Sequence, residues 1–268
     1  MNGIRYGMPT LIEYNTLEEC AQLCQKLGLS FIEINMNFPQ YQIDRLDPAE
    51  LRAIMEEYNL FFTLHLDENL NVCDFNERIA AAHRENILDC IRLARELEIP
   101  VLNMQISNGV YYALPDRKIF LFEQYKASFL HQLLLFRDVC EEAIGDSDVT
   151  LCVENTQGFS PIIQSGIDLL LEDSGFGLTL DTGSHHIGHA GDQQFFNRHV
   201  NQLRHIHLHD AAEGKMFLPL GEGEIPVQKL LSLAKDYHLN CVLENKTVET
   251  LEKSVQFLRR SKSPAALR

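Results

Sequence analysis

The chain has 268 residues, 45% of them hydrophobic and 23% charged, and a formal net charge of −15. It is long enough to bury a large core without disulfides or a structural metal. The acidic balance argues against DNA, RNA and anionic membranes as partners, because each needs a basic footprint and the one basic cluster is the short RRSK at 259–262.

The predicted elements alternate along the chain. Strand candidates are 4–8, 29–35, 60–66, 99–107, 148–155, 176–181, 203–210 and 240–245, most of them rich in β-branched or aromatic residues. Helix candidates fall between and after them, at 16–28, 48–58, 75–98, 117–143, 160–172, 193–200, 226–237 and 248–260. Thr16 and Glu19 form a capping box closed by Gly28, and Asp47 caps a helix with Pro48 at its first position. Strict alternation implies a parallel sheet, and eight units in one chain of this size predict an α/β fold, a single (β/α)8 TIM barrel over 1–268. The runner-up is an open doubly wound sheet, which has fewer strands and a GxGxxG after its first strand that is missing here.

No run of eighteen apolar residues exists and the first fifteen residues lack a signal-peptide core, so the protein reads as cytoplasmic with no membrane partner. Seven cysteines are scattered without a CxxC. Cys20 and Cys24, one helical turn apart, read as small buried hydrophobes in a reduced compartment before they read as half of a metal site.

A barrel puts its chemistry at the C-terminal ends of its strands. The last four strands all end in metal-competent residues: Glu154 in LCVEN, Asp181 in LTLDTG, the run HIHLHD at 205–210, and Glu244 in CVLEN. A carboxylate after an apolar run is costly unless paired, hydrogen-bonded or metal-bound. Two Glu, one Asp and an imidazole suit Mn²⁺, Mg²⁺ or Co²⁺, with Zn²⁺ as an alternative. The competing reading is a polar network with Arg204, Lys246 or the histidines, and it is disfavoured because no matching set of bases stands at those ends. Alternation places His205, His207 and His209 on one face.

The motifs VEN (153–155), LTLDTG (178–183), HLHD (207–210), LPLGEGEI (218–225), and LEN with ETLEKSVQFLRR (243–245, 249–260) resemble those of the xylose isomerase-like barrel superfamily. That superfamily includes sugar isomerases and epimerases and endonuclease IV. The resemblance implies one divalent ion per chain, Mn²⁺ before Mg²⁺, Co²⁺ or Zn²⁺, held by Glu154, Asp181, His207 and Glu244. It also implies that Glu154 and Glu244 act as base and acid. His205 would then lie a step deeper in the barrel, and His209 at the rim, orienting a neighbour or facing solvent. The three-metal nuclease pattern is broken: strand four offers Gln105 in place of His, and the D-x-H position reads Lys215-Met216-Phe217. The D-x-x-H after strand six is displaced, leaving Ser184, His185 and His186 as alternatives.

The implied reaction removes a proton beside a carbonyl, through a metal-stabilised enediolate, on a keto-sugar or inositol-type polyol. His65, Gln105, His185 and Lys215 are candidate substrate-binding residues, and Glu33 either joins them or pairs with a base. Phe38, Tyr41, Tyr111 and Tyr112, on long loops, stack on a sugar face or pack as ordinary loop residues. Glu222 and Glu224 beside the glycines at 219–226 favour an unphosphorylated substrate, against which Lys215 and Lys246 count. The alternatives are a lyase or dehydratase on the same scaffold, a phosphodiesterase, and a non-catalytic relic. The resembling enzymes are commonly dimers and tetramers, which makes a homo-oligomer one of the states open to this chain.

Overall fold

The computed structural model describes residues 3–188 and 191–261. Eight parallel strands close into a barrel: β1 (Arg5–Pro9), β2 (Phe31–Asn35), β3 (Phe61–His65), β4 (Val101–Gln105), β5 (Thr150–Glu154), β6 (Phe176–Asp181), β7 (Leu203–Leu208) and β8 (Asn240–Leu243). Each pairs with its neighbours in sequence, and β1 closes the ring on β8 through Arg5, Tyr6 and Gly7. The (β/α)8 expectation is met.

Helices α1 (Leu17–Leu27), α2 (Pro48–Tyr58) and α3 (Glu77–Leu97) follow the first three strands. The Thr16 hydroxyl accepts from the Glu19 amide at 3.2 Å, and the Glu19 carboxylate accepts from the Thr16 amide at 3.1 Å. Gly28 ends α1 at φ 68°, a left-handed conformation that glycine adopts without strain. Asp47 caps α2 by accepting from the Ala49 amide at 2.9 Å.

The chain departs from the predicted pattern after β4. The expected helix over 117–143 begins instead as a hairpin, Tyr111–Ala113 against Lys118–Phe120. A short helix α4 (Leu121–Gln124) and a long one α5 (Lys126–Ile144) then follow, separated at Tyr125, whose φ −113° and ψ 45° are not helical. After α6 (Pro161–Leu170), a segment read as loop is a helix, α7 (Thr182–Gly188), and α8 (Asp192–Arg198) follows it. A second hairpin, Asp210–Ala212 with Lys215–Leu218, follows β7. Helices α9 (Val227–Asp236) and α10 (Val248–Ser261) complete the ring. Of the basic tail at 259–262, Lys262 lies outside the described residues. Among them, no helix is long and apolar enough to cross a membrane.

Strand alternation separates two layers. Ile32, Ile34, Phe62, Leu64, Leu102, Leu151, Val153 and Leu178 are all buried in the apolar core that the strands share with the helices. The opposite, inward positions carry Glu33, Thr63, His65, Asn103, Glu154, Thr179, Asp181, His205 and His207, also buried. Phe31 and Phe61 stack at 4.8 Å beneath them. Gly7 makes room for this pair, since a Cβ there would lie 2.4 Å from the Phe31 ring. Cys20 and Cys24 are free and fully buried, and burial pushes both thiols up.

Candidate metal centre

Parallel register sets Gln105 beside Glu154 and Glu154 beside Thr179, and two residues further along β6 Asp181 stands beside His207. Glu244 follows β8, its amide bonded to the Leu208 carbonyl at 3.1 Å. One donor atom from each of Glu154, Asp181, His207 and Glu244 lies within 4.8 Å of the others, and all four residues are buried.

Each member is held from behind. One Glu154 oxygen, Oε1, lies 2.6 Å from His207 Nδ1. The other, Oε2, accepts from Asn103 Nδ2 at 2.9 Å and Gln105 Nε2 at 3.3 Å, with His65 Nε2 at 3.4 Å. Asp181 Oδ1 accepts from the Ser184 amide at 2.6 Å, and Oδ2 faces His209 Nε2 at 3.3 Å. Its main chain is clamped by Asn155, which accepts from the Asp181 amide at 2.8 Å. Glu244 Oε1 accepts from Lys246 Nζ at 2.7 Å. Glu244 Oε2 is buried without a hydrogen-bond partner, 3.6 Å from His207 Nδ1 and 3.7 Å from His209 Nε2.

The expectation that no bases match these acids is corrected. His65, His207, His209 and Lys246 all lie against them, because alternation turns the histidines inward and Lys246 folds back over the Phe217 ring at 4.3 Å. Arg204 takes no part and donates to the Asn201 and Leu203 carbonyls.

The charges reinforce one another. Burial alone pushes the Glu154 carboxyl up, but His207 and His65 outweigh it and hold it well below its ordinary value. Burial likewise opposes charge on His207, yet Glu154, Glu33 and Glu244 raise it well above its ordinary value. His65, against the same burial, is held up to about 9 by Glu154 and Glu33. His209 lowers Asp181 and is itself raised by it, both against burial. Glu244 is the exception: burial, with Asp181 and Glu154 nearby, raises it despite His207 and Lys246.

These residues fit a divalent cation. Three carboxylates and one imidazole are a hard donor set with a single nitrogen, suited to Mn²⁺, Mg²⁺, Co²⁺ or Zn²⁺. The partnerless Glu244 Oε2 points into the same cluster.

The remaining candidates separate into two groups. His65 and Gln105 meet at Glu154. His185 instead contacts Gln193 Oε1 at 3.0 Å and packs on Phe196, while His186 contacts Glu224 Oε2 at 3.3 Å. Ser184, the third alternative, is buried and serves Asp181 through its amide. Lys215 is exposed at the start of a hairpin strand. Tyr41 is buried in the core, Tyr111 packs edge-on to Phe120 beneath Lys118, and Tyr112 is exposed.

His209 is not at a solvent-facing rim. It is fully buried under α7, where Gly183 leaves room for it: a Cβ there would lie 2.0 Å from His209 Cε1. Its Nδ1 accepts from the Phe217 amide at 3.0 Å, and its ring packs on Phe217 at 4.6 Å. Two supporting residues escaped the sequence reading. Asn103 was visible as the inward neighbour of Gln105, two positions away, and Thr63 stands in the same relation to His65. Glu33, whose role was left open, pairs with bases, lying 2.9 Å from His205 and 2.8 Å from His207.

Two backbone amides within 219–225 already donate to the Asp210 side chain. Asp210 accepts from Ala211 at 2.9 Å, Gly221 at 2.9 Å and Ile225 at 3.0 Å. Beside Glu154 lies a cavity of about 20 Å³ lined by Glu68, Gln105, Ile106, Ser107, Gln157 and Gly158. A larger cavity, about 630 Å³, opens at the opposite end of the barrel near Arg5, Phe61 and Asp148. Size is a poor guide here, since the clustered acids and histidines stand at the other end.

The chain matches the xylose isomerase-like TIM barrel family over residues 21–261. It belongs to that family. Among solved structures it resembles a D-tagatose 3-epimerase-like protein, at 22% identity, TM-score 0.74 and 96% coverage of both chains. It also resembles the 3-keto-D-glucoside 4-epimerase YcjR from E. coli, at 14% identity and TM-score 0.75, covering 96% of this chain and 99% of that one. A third is the probable 3-DHS dehydratase AsbF from Bacillus anthracis, at 11% identity and TM-score 0.68, covering 95% and 98%. Identities this low establish the shared fold. No curated protein sequence matches the chain.

Proposed function

We propose that this protein is a divalent-metal-dependent epimerase or isomerase of an unphosphorylated keto-sugar or inositol-type polyol. The observation that carries the reading is the convergence of Glu154, Asp181, His207 and Glu244 within 4.8 Å at the ends of four successive strands. The similar structures named as sugar epimerases support it.

Glu154, Asp181, His207 and Glu244 would hold the ion. Mn²⁺ is the proposed metal, and when bound it supplies charge stabilisation for a substrate carbonyl and adjacent hydroxyl. The reaction then needs one group to take a proton from carbon and another to return one. Glu154 at the end of β5 and Glu244 just past β8 flank the cluster from two sides, the placement that a base and acid pair requires. Glu154 accepts the proton from the carbon beside the carbonyl, with Asn103 and His65 keeping its carboxylate in place. Return of a proton from Glu244 to the opposite face of that carbon is epimerisation, and return to the neighbouring carbon is isomerisation.

His65 and Gln105 are proposed to hold substrate hydroxyls. His185, on α7, and Lys215, on the hairpin after β7, contact none of the four proposed ligands here and reach substrate only if those elements shift towards it. The absence of a phosphate in the substrate is supported by Asp210, which occupies two of the amides that would cradle one. The protein is proposed to work in the cytoplasm as a single-domain enzyme on a small molecule, without nucleic acid or membrane.

A dehydratase is the second reading, favoured by the likeness to AsbF and by the shared first step of proton removal. Solvent-deuterium exchange across a panel of keto-sugars and inososes tests both with metal-loaded protein. Epimerisation yields a deuterated stereoisomer, and dehydration yields loss of water. Silence across the panel contradicts both.

A further inference from the structure

We propose that Glu33 is a positioning residue for His207: its buried carboxylate keeps the proton on Nε2 and thereby presents Nδ1 of that ring to the divalent ion. The proposal rests on the metal-centre reading above and adds to it a residue that is not itself a ligand.

Glu33 stands on β2, His207 on β7, and the two strands are not neighbours in the barrel. The contact therefore crosses the barrel interior. Glu33 is 2% exposed, so its carboxylate is costly to bury unless every oxygen is used. Oε2 takes His205 Nε2 at 2.9 Å and the Thr63 hydroxyl at 3.1 Å. Oε1 lies 2.8 Å from His207 Nε2. That N–H is not aligned as a hydrogen bond, so the contact acts through charge.

Both ring nitrogens face a carboxylate, so the tautomer is set once an ion is bound: only Nδ1 faces the proposed ligands, and Nε2, against Glu33, is left to carry the proton. A lone pair on Nε2 would face a carboxylate oxygen at 2.8 Å, whereas a proton there is attracted to it. With Nε2 carrying the proton, Nδ1 is the nitrogen free to donate, and Nδ1 is the one that faces Glu154 at 2.6 Å and Glu244 at 3.6 Å. The ring is also confined. It lies nearly parallel to His65 at 5.7 Å and edge-on to His205 at 5.3 Å. A carboxylate behind a ligating imidazole sets its orientation and basicity, and removing one typically costs 10–100-fold in metal affinity. Thr63 and His205 anchor the carboxylate, so β2, β3 and β7 together support one ligand.

Glu33, His205 and His207 are also close enough to be considered a metal site in their own right. The hydrogen bonds from Thr63 and His205 already engage Oε2, and this favours a support over a second ion.

The test is ¹⁵N-histidine NMR of the Zn²⁺-loaded protein, combined with divalent-ion titration of Glu33→Gln and Thr63→Val. The expected result is His207 bound through Nδ1 with Nε2 protonated. Glu33→Gln should lose about 10–100-fold in ion affinity, with turnover recovered by excess ion and the substrate KM unchanged. Thr63→Val, which loosens the anchor only, should lose less in the same direction. Coordination through Nε2, wild-type affinity in Glu33→Gln, or a second ion per chain that this variant removes would each overturn the proposal while leaving the metal centre intact. A wild-type protein that binds no ion would overturn both. If Glu33→Gln does not fold, the wild-type spectrum and Thr63→Val decide.

Discussion

The two faces of the same eight strands differ sharply. Towards the helices, β3 presents Phe62 and Leu64, β5 presents Leu151 and Val153, and β8 presents Cys241 and Leu243, all buried and apolar. Towards the barrel axis the same strands present Thr63 and His65, Glu154, and, just past β8, Glu244. The outer face gains stability with each methylene it buries, roughly 0.8 kcal/mol apiece. The inner face carries groups that are costly to bury and are tolerated because partners surround them. Stability and chemistry are thus divided between the two sides of one sheet.

Substitutions can break that division or sharpen it. The largest effect is expected at the inner face: Glu154→Gln or Glu244→Gln should lower turnover by about 10²–10⁴-fold or more while the fold persists, as read by steady-state kinetics and circular dichroism. An active Glu154→Gln would remove that residue from proton transfer. On the outer face, Leu64→Ala should cost about 2–5 kcal/mol of stability, read as a lower Tm, without changing the number of ions bound per chain. Gly183→Ala tests the boundary between the two regions. Its methyl group would meet His209 at 2.0 Å, so it should push that ring off Asp181 and weaken ion binding. Asn103→Leu should have a smaller effect, about 1–3 kcal/mol, by stripping a donor from Glu154.

The smallest effect expected is with pH, in the ion-free protein. His65 is held up to about 9, above its unfolded value of about 6.5. Its stabilising contribution is therefore complete below about pH 6.5 and is lost as pH rises through about 9. Glu33 and Glu154 are held low, so their contribution is present above about pH 4.3 and is lost as pH falls. Tm should plateau between about pH 5 and 6.5 and decline on both sides by a few degrees. Ion affinity should rise with pH across the same range, because His207 must release a proton to bind.

The division between the faces was partly legible beforehand. Apolar runs, most of them rich in β-branched or aromatic residues and bounded by turn residues, marked the eight strands, and the runs ending in Glu154, Asp181 and Glu244 marked where the carboxylates gather. What alternation does not reveal is reach across the barrel. Glu33 and His205 are 172 residues apart and meet only because the sheet closes. The hairpins at 111–120 and 210–218 were hidden for a different reason. Their few hydrogen bonds are made locally on top of the barrel, with no apolar periodicity to announce them. Helix α7 was missed because its cap is Asp181, a residue already assigned to the metal.

The most direct test of the account is a titration of metal-free protein with Mn²⁺, followed by electron paramagnetic resonance and checked by elemental analysis. One ion per chain is expected, lost in Asp181→Ala and in His207→Ala. A chain that binds no ion, or three, or one that survives both substitutions, would contradict it.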